Sequence, residues 1–335
     1  KVSGASRIYF NTTLINSNSI TFNSVTSQIS NSLLNNQNII IPADFNADGR
    51  SDILCFNPAN GNNYWLFSKM TGLTASSFEM NGGVNYFQNL IPTTYFNNGS
   101  IKPLFADFNS DGLVDILFWN KATGVLNYYQ NQGGTAVSFT SMSVSGINSS
   151  QIIGGNNADI LTNDLNADGL PDLLYWDKSS GVNRLWINKG DNNFIFTTIA
   201  FAPSLSSFVS ATQNSDFLLP IDFNADGLND YVAIFKSSGQ VRWLRNEGQF
   251  TFNWINYSGN NGSPTLDAIQ IQNYDFQSIG NYTSRSMMDM LFLNKSASSQ
   301  LRVFRGVNDY NNLVSKITSG SGQVIDIAYE FMTSD

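Results

Sequence analysis

Asp44-Phe45-Asn46-Ala47-Asp48-Gly49-Arg50-Ser51-Asp52 is one of four full copies of a single nine-residue pattern. The pattern returns at Asp107 to Asp115, at Asp164 to Asp172 with Leu165 in place of Phe, and at Asp222 to Asp230. A degenerate fifth copy opens at Asp275-Phe276-Gln277. Each full copy runs straight into an apolar stretch: Ile53-Leu54-Cys55-Phe56, Ile116-Leu117-Phe118-Trp119, Leu173-Leu174-Tyr175-Trp176 and Tyr231-Val232-Ala233-Ile234. Runs of this length and composition read as apolar strands.

The copies start at 44, 107, 164, 222 and 275, so they are 63, 57, 58 and 53 residues apart. Between them the same order recurs. A strand such as Leu218-Leu219-Pro220-Ile221 precedes the acidic loop, and a second strand follows it. That strand turns through a Gly-ending loop such as Asn120-Lys121-Ala122-Thr123-Gly124 or Asp177-Lys178-Ser179-Ser180-Gly181 into a third strand. A further turn, Asn131-Gln132-Gly133, Asn188-Lys189-Gly190 or Asn246-Glu247-Gly248, leads to a fourth. Four short strands per repeat of 50–60 residues predict an all-β chain, a β-propeller of four-stranded antiparallel blades. Six blades are expected, with seven as the alternative. Residues 1–335 read as one domain: a partial blade at 1–30, repeats at about 38–80, 101–142, 158–200, 214–256 and 268–318, and a tail at 319–335. Within that tail Val324 to Phe331 is expected to pair back with 1–30, or to lead into a following domain. The opening residue, Lys1, reads as that of a fragment or a processed form.

The spacing within the loop suits a hard cation. Oxygen ligands fall at positions 1, 3, 5 and 9, and a backbone carbonyl is available at position 7. The predicted metal ligands are Asp44, Asn46, Asp48, Arg50 (carbonyl) and Asp52, then Asp107, Asn109, Asp111, Leu113 (carbonyl) and Asp115. The third and fourth sets are Asp164, Asn166, Asp168, Leu170 (carbonyl) and Asp172, and Asp222, Asn224, Asp226, Leu228 (carbonyl) and Asp230. Gly49 stands where the chain must fold sharply, and Phe45 is expected to anchor the loop in the core. About four structural Ca²⁺ ions are predicted as cofactors. The bland alternative, that Asp, Asn and Gly merely form turns, is weighed against four copies in one phase.

Composition excludes several functions. With 25 acidic and 17 basic residues the net charge is −8, and no basic run exists for nucleic acid. No apolar stretch is long enough to span a membrane. There is no histidine, and the single cysteine, Cys55, reads as a buried strand residue rather than a metal ligand or half of a disulfide. No catalytic residue is assigned, because the carboxylates are already explained as ligands.

The repeated loops resemble the FG-GAP/VCBS repeat, the blade unit of integrin α-subunit propellers and of many bacterial secreted proteins. The resemblance covers about residues 38–306 and implies Ca²⁺ loops on one face of a propeller. A second, shorter resemblance lies in Leu313-Val314-Ser315-Lys316-Ile317-Thr318-Ser319-Gly320-Ser321-Gly322 and on to Tyr329. It is similar to a segment that follows such repeats in SpvB-like, toxin-complex B and Rhs-group proteins. Together these imply a non-catalytic docking module of a larger bacterial secreted or cell-surface toxin-like protein, with a protein partner or toxin shell. The alternatives are an integrin-like adhesin, for which no Arg-Gly-Asp is present, and a carbohydrate-binding lectin. In the lectin reading, Trp65, Trp119, Trp176, Trp186, Trp243 and Trp254 are candidate sugar platforms, although their places on repeat strands favour packing of blade on blade.

Overall fold

The structure is a computed structural model. It describes residues 7–11, 22–26, 38–70, 76–80, 91–133, 137–190, 192–197, 200–201, 212–222, 226–236, 240–255, 274–280, 289–294, 301–304, 316–318 and 324–326. The chain divides into two compact units. The first is Lys1–Asp164 with Asp168–Ile199, and the second is Leu165–Ala167 with Ala200–Asp335.

In the first unit, β1 (Arg7–Asn11) and β2 (Phe22–Thr26) form a hairpin. Three antiparallel four-stranded blades follow. The first consists of β3 (Ile39–Ala43), β4 (Asp52–Phe56), β5 (Asn63–Met70) and β6 (Ser76–Met80). A single helical turn, α1 (Thr94–Asn97), leads to the second: β7 (Ile101–Ala106), β8 (Asp115–Asn120), β9 (Leu126–Asn131) and β10 (Phe139–Met142). The third is β11 (Ala158–Asn163), β12 (Asp172–Asp177), β13 (Asn183–Asn188) and β14 (Phe194–Thr197).

In the second unit, β15 (Ala200–Phe201) runs parallel to the edge of a fourth blade. That blade is β16 (Phe217–Ile221), β17 (Asp230–Phe235), β18 (Gln240–Asn246) and β19 (Thr251–Ile255). The degenerate repeat forms a three-stranded sheet, β20 (Tyr274–Gly280), β21 (Asp289–Asn294) and β22 (Leu301–Phe304). Its register shifts between Phe276 and Ser278, where the loop of the other repeats begins. A last hairpin pairs β23 (Lys316–Thr318) with β24 (Val324–Asp326).

The expected six or seven blades are therefore corrected to four. Among the described residues only four sheets hold the full set of strands, each with a full copy of the nine-residue pattern between its first two strands. The physical reason lies in the fifth copy and the tail. The fifth copy has lost its loop residues and its sheet holds three strands among the described residues, while Val324–Asp326 pairs with Lys316–Thr318, in place of the expected return to residues 1–30.

β8, β12 and β17 are buried along nearly their whole length, and β8 has a neighbouring blade on each of its faces. In β8, Ile116 and Phe118 face Phe45, Leu54, Phe56 and Trp65 of the first blade. Leu117 and Trp119 face Ile160, Leu173 and Tyr175 of the third. A strand exposed on one side would alternate apolar and polar residues; these runs do not. Cys55 is buried on β4, as expected. α1 plugs the end of the first interface, where Phe96 meets Phe56 at 5.0 Å and Phe118 at 5.5 Å between ring centroids. In the second unit Tyr231, Val232, Ala233 and Ile234 are fully buried, and the Tyr231 ring lies 5.7 Å from Phe252. Among the described residues no helix is long and apolar enough to cross a membrane.

Candidate functional site

The four acidic loops lie between the first and second strands of their blades, where the sequence placed them. Their tight geometry comes from the left-handed residues. Gly49, Gly112, Gly169 and Gly227 have φ between 80° and 87°, and Ala47, Ser110 and Ala167 sit near 57°. The anchor prediction holds too, since Phe45, Phe108 and Leu165 are buried.

The carboxylates are directed at the loop's own amides. Asp44 accepts from Asp48 N at 3.2 Å and from Gly49 N at 2.8 Å, one oxygen to each. Asp107 does the same for Asp111 N and Gly112 N, Asp164 for Asp168 N and Gly169 N, and Asp222 for Asp226 N and Gly227 N. The fifth position then accepts from position 7, at 3.0 Å for Arg50 N, 2.9 Å for Leu113 N, 3.0 Å for Leu170 N and 2.8 Å for Leu228 N. Asn46 and Asn109 bond to Asp48 and Asp111. Asn166 is half-buried, and Asn224 lies outside the described residues.

The ninth position points the other way. Asp52, Asp115, Asp172 and Asp230 are at most 1% exposed. Asp115 accepts from Phe108 N at 3.1 Å, Asn131 N at 2.7 Å and the Tyr128 hydroxyl at 2.6 Å. Asp52 accepts from Phe45 N and Ser68 N, Asp172 from Asn188 N, and Asp230 from Asn246 N. Burial raises the Asp52 carboxyl above its usual range against its two amide donors. For Asp115 burial outweighs three hydrogen bonds and pushes the pKa to about 6. The Tyr128 hydroxyl is raised by the same burial and by its acidic partner.

This arrangement corrects the calcium assignment. Among the described residues no group of three or more His, Cys, Asp or Glu side chains could hold a metal ion. The first and fifth positions face backbone amides, and the ninth is turned into the blade instead of closing a coordination shell. Position 7 contributes packing: Leu113, Leu170 and Leu228 lie beside Gly133, Gly190 and Gly248, where an added Cβ would stand 3.0, 3.9 and 3.9 Å from the leucine methyl. The motif is a structural staple whose requirements the protein meets itself.

The sequence reading missed the residues that join one repeat to the next. Sixteen positions after each of the last three ninth-position aspartates stands a buried asparagine. Asn131 Nδ2 donates to Phe45 O at 2.8 Å and Val114 O at 3.1 Å. Asn188 Nδ2 donates to Phe108 O at 2.8 Å and Pro171 O at 3.2 Å. In the second unit Asn246 Nδ2 donates to Leu165 O at 2.9 Å and Asn229 O at 3.1 Å. Each asparagine thus ties its own loop to the loop carbonyl of the preceding repeat, while its Oδ1 accepts from the glycine two residues on. The signal was present as a recurring Asn-x-Gly, which was read only as a turn.

The first blade departs from this scheme at two places. Ser68 occupies the asparagine position, and Arg50 replaces the position-7 leucine. Arg50 forms an ion pair with Asp48 and donates to Ser68 O at 3.3 Å. Arg50 Nε and Ser68 Oγ are both buried without a hydrogen-bond partner.

Four of the six tryptophans are core residues. Trp65, Trp119, Trp176 and Trp186 are at most 2% exposed, and Trp119 Nε1 donates to Ile152 O at 2.9 Å. Trp243 is half-buried; the side chain of Trp254 lies outside the described residues.

Comparison with known proteins agrees with the fold. A family described as FG-GAP-like repeat matches residues 44–118 and 164–213. No curated protein matches the sequence. Among solved structures the chain is similar to a lectin of Agrocybe aegerita, solved for its specific recognition of non-reducing terminal N-acetylglucosamine. The TM-score is 0.55 at 14% identity, over 88% of this chain and 73% of the lectin. The chain thus has an FG-GAP-like β-propeller fold. Neither comparison ties it to SpvB-like, toxin-complex B or Rhs-group proteins, nor to integrins.

Proposed function

We propose that this protein is a non-catalytic recognition module that binds carbohydrate. The observation that carries the proposal is the likeness to a lectin over 88% of the chain. The chemistry of the surface supports it. Exposed Asp48, Asp111, Asp168 and Asp226, with half-buried Asn46, Asn109 and Asn166, offer the mixed donors and acceptors that sugar hydroxyls require. Sugar contacts are sought on these rims and not on Trp65, Trp119, Trp176 or Trp186, which are buried.

The reading also fits the regularity of the loops. Amides already occupy the carboxylates that a hydrolase would use as acid and base. An immobilised glycan panel tests it, with the intact chain as the probe. The expected result is saturable binding to a subset of glycans that free sugar competes away. Uniform absence of binding across neutral and amino sugars would overturn the proposal.

A further inference from the structure

We propose that Asn98-Gly99, in the turn that leads into β7, is a covalent modification site: it deamidates and isomerises with water as its only co-reactant. In this chemistry the glycine amide nitrogen attacks the side-chain carbonyl carbon of the residue before it. Glycine permits the attack because no Cβ hinders the approach or the backbone rotation it requires.

Six Asn-Gly or Asp-Gly pairs lie among the described residues: Asp48-Gly49, Asp111-Gly112, Asp168-Gly169, Asp226-Gly227, Asn60-Gly61 and Asn98-Gly99. In the four Asp-Gly pairs the nucleophile is already held. Gly49 N, Gly112 N, Gly169 N and Gly227 N donate to Asp44, Asp107, Asp164 and Asp222 at 2.8, 2.7, 2.9 and 3.0 Å. The staple of each blade thus keeps its own Asp-Gly pair from reacting. Gly61 N is held as well, by Asn57 O at 2.8 Å. Gly61 is also buried, with the place of its absent Cβ only 2.3 Å from Thr93 O, so its backbone has no room to turn.

Gly99 is the exception among these six. It is exposed, no atom lies within 4 Å of the place of its absent Cβ, and its N donates to no group. Asn98 is exposed too, and its Oδ1 accepts from Ser100 N at 3.0 Å. An amide donor therefore already stands at the oxygen that becomes negative when Cγ is attacked. Asn98 has ψ 108°, and rotation about this bond brings Gly99 N against Cγ. That rotation gives up one backbone bond, from Ile101 N to Asn98 O at 2.8 Å, at an exposed turn. Asn60 serves as the internal control. Its Oδ1 accepts from Asn62 N at 2.9 Å in the same way, so the two sites differ at the glycine.

In the first step the bond from Gly99 N to Asn98 Cγ forms and the Cγ–Nδ2 bond breaks. The proton of Gly99 N leaves with Nδ2 as ammonia. Water then opens the cyclic imide. Attack at Cγ leaves aspartate; attack at the main-chain carbonyl of residue 98 leaves isoaspartate, in which the backbone runs through Cγ. Either product places a new negative charge in front of β7, and the isoaspartate also lengthens the turn that feeds the second blade.

The test incubates the intact folded chain at mildly alkaline pH and follows the peptides by mass spectrometry with enzymatic detection of isoaspartate. Conversion at Asn98 should be at least about tenfold faster than at Asn60, the ratio that a barrier difference of about 1.4 kcal/mol produces. In urea the two Asn-Gly pairs should react at similar rates, which assigns the difference to the fold. Gly99→Ala puts its Cβ into open space, so it should keep the melting temperature and slow conversion several-fold. Conversion in the folded chain no faster at Asn98 than at Asn60 would overturn the proposal. Conversion at Asn98 only after unfolding would overturn it too, since the turn would then be holding Gly99 N away from Cγ. An unchanged rate in folded Gly99→Ala would show that Gly99 N is not the nucleophile's privileged position and would also overturn it.

Discussion

Asn188 Nδ2 donates to the carbonyl of Phe108 at 2.8 Å, across 80 residues of sequence. Phe108 N in turn donates to Asp115, and Asn188 N donates to Asp172. One buried amide therefore links the acidic staples of the second and third blades. This bond explains why the loop sequence is so regular: the loop must present one carbonyl to the next repeat and one amide to its own buried aspartate.

Asn188→Asp keeps the size of the side chain but removes the donor and places a charge against two carbonyls. It is expected to cost more than Asn188→Ala, and both should fall in the range of about 2–4 kcal/mol. Urea unfolding followed by tryptophan fluorescence measures it. An Asp variant as stable as wild type would show that the bond to Phe108 is not stabilising.

Asp115 should make stability depend on pH in an unusual direction. Its carboxyl is raised to about 6 by burial, while the unfolded value is near 3.8. The folded protein therefore binds this proton more tightly. The contribution is fully present below pH 3.8 and is lost as pH rises through 6, amounting to about 3 kcal/mol for a shift of about two units. The difference in unfolding free energy between wild type and Asp115→Asn, taken from pH 4 to pH 7, should fall along that curve and then level. A difference that rises with pH would contradict the burial argument. Tyr128→Phe removes a hydrogen bond that favours the carboxylate, so it should move the curve to higher pH.

Gly124→Ala and Gly112→Ala separate two kinds of glycine. Both residues have positive φ, at 71° and 85°. A Cβ on Gly112 meets nothing within 4 Å, whereas one on Gly124 would lie 1.9 Å from Ser149 O. The first substitution should cost about 1 kcal/mol from backbone strain alone. The second should cost at least twice as much, because the chain entering the third blade must move. Thermal melts of the two variants check the order.

Trp119→Phe tests the assignment of the tryptophans to the core. The change leaves Ile152 O without its donor and opens a gap in the second interface. A loss of about 2–3 kcal/mol is expected with glycan binding unchanged. Loss of binding in a protein as stable as wild type would return this residue to the list of sugar platforms.

The nine-residue pattern and the apolar run behind it determined the strands, the place of each loop, the inward aromatic anchor and the left-handed glycine. These are local consequences of backbone sterics and of a 50–60 residue period, and a linear sequence states them directly. Where each carboxylate points is not local. Asp44 and Asp52 are alike as letters, yet one bonds Asp48 N and Gly49 N at the surface and the other is buried beneath Phe45 and Ser68. Only the packing of β4 against β5 separates them, and it turned a predicted cation shell into two sets of amide acceptors. The same holds for Asn131, Asn188 and Asn246, whose partners lie about 80 residues away, and for the number of complete blades. Those were decided by tertiary contacts, because a buried donor must find an acceptor wherever the fold brings one.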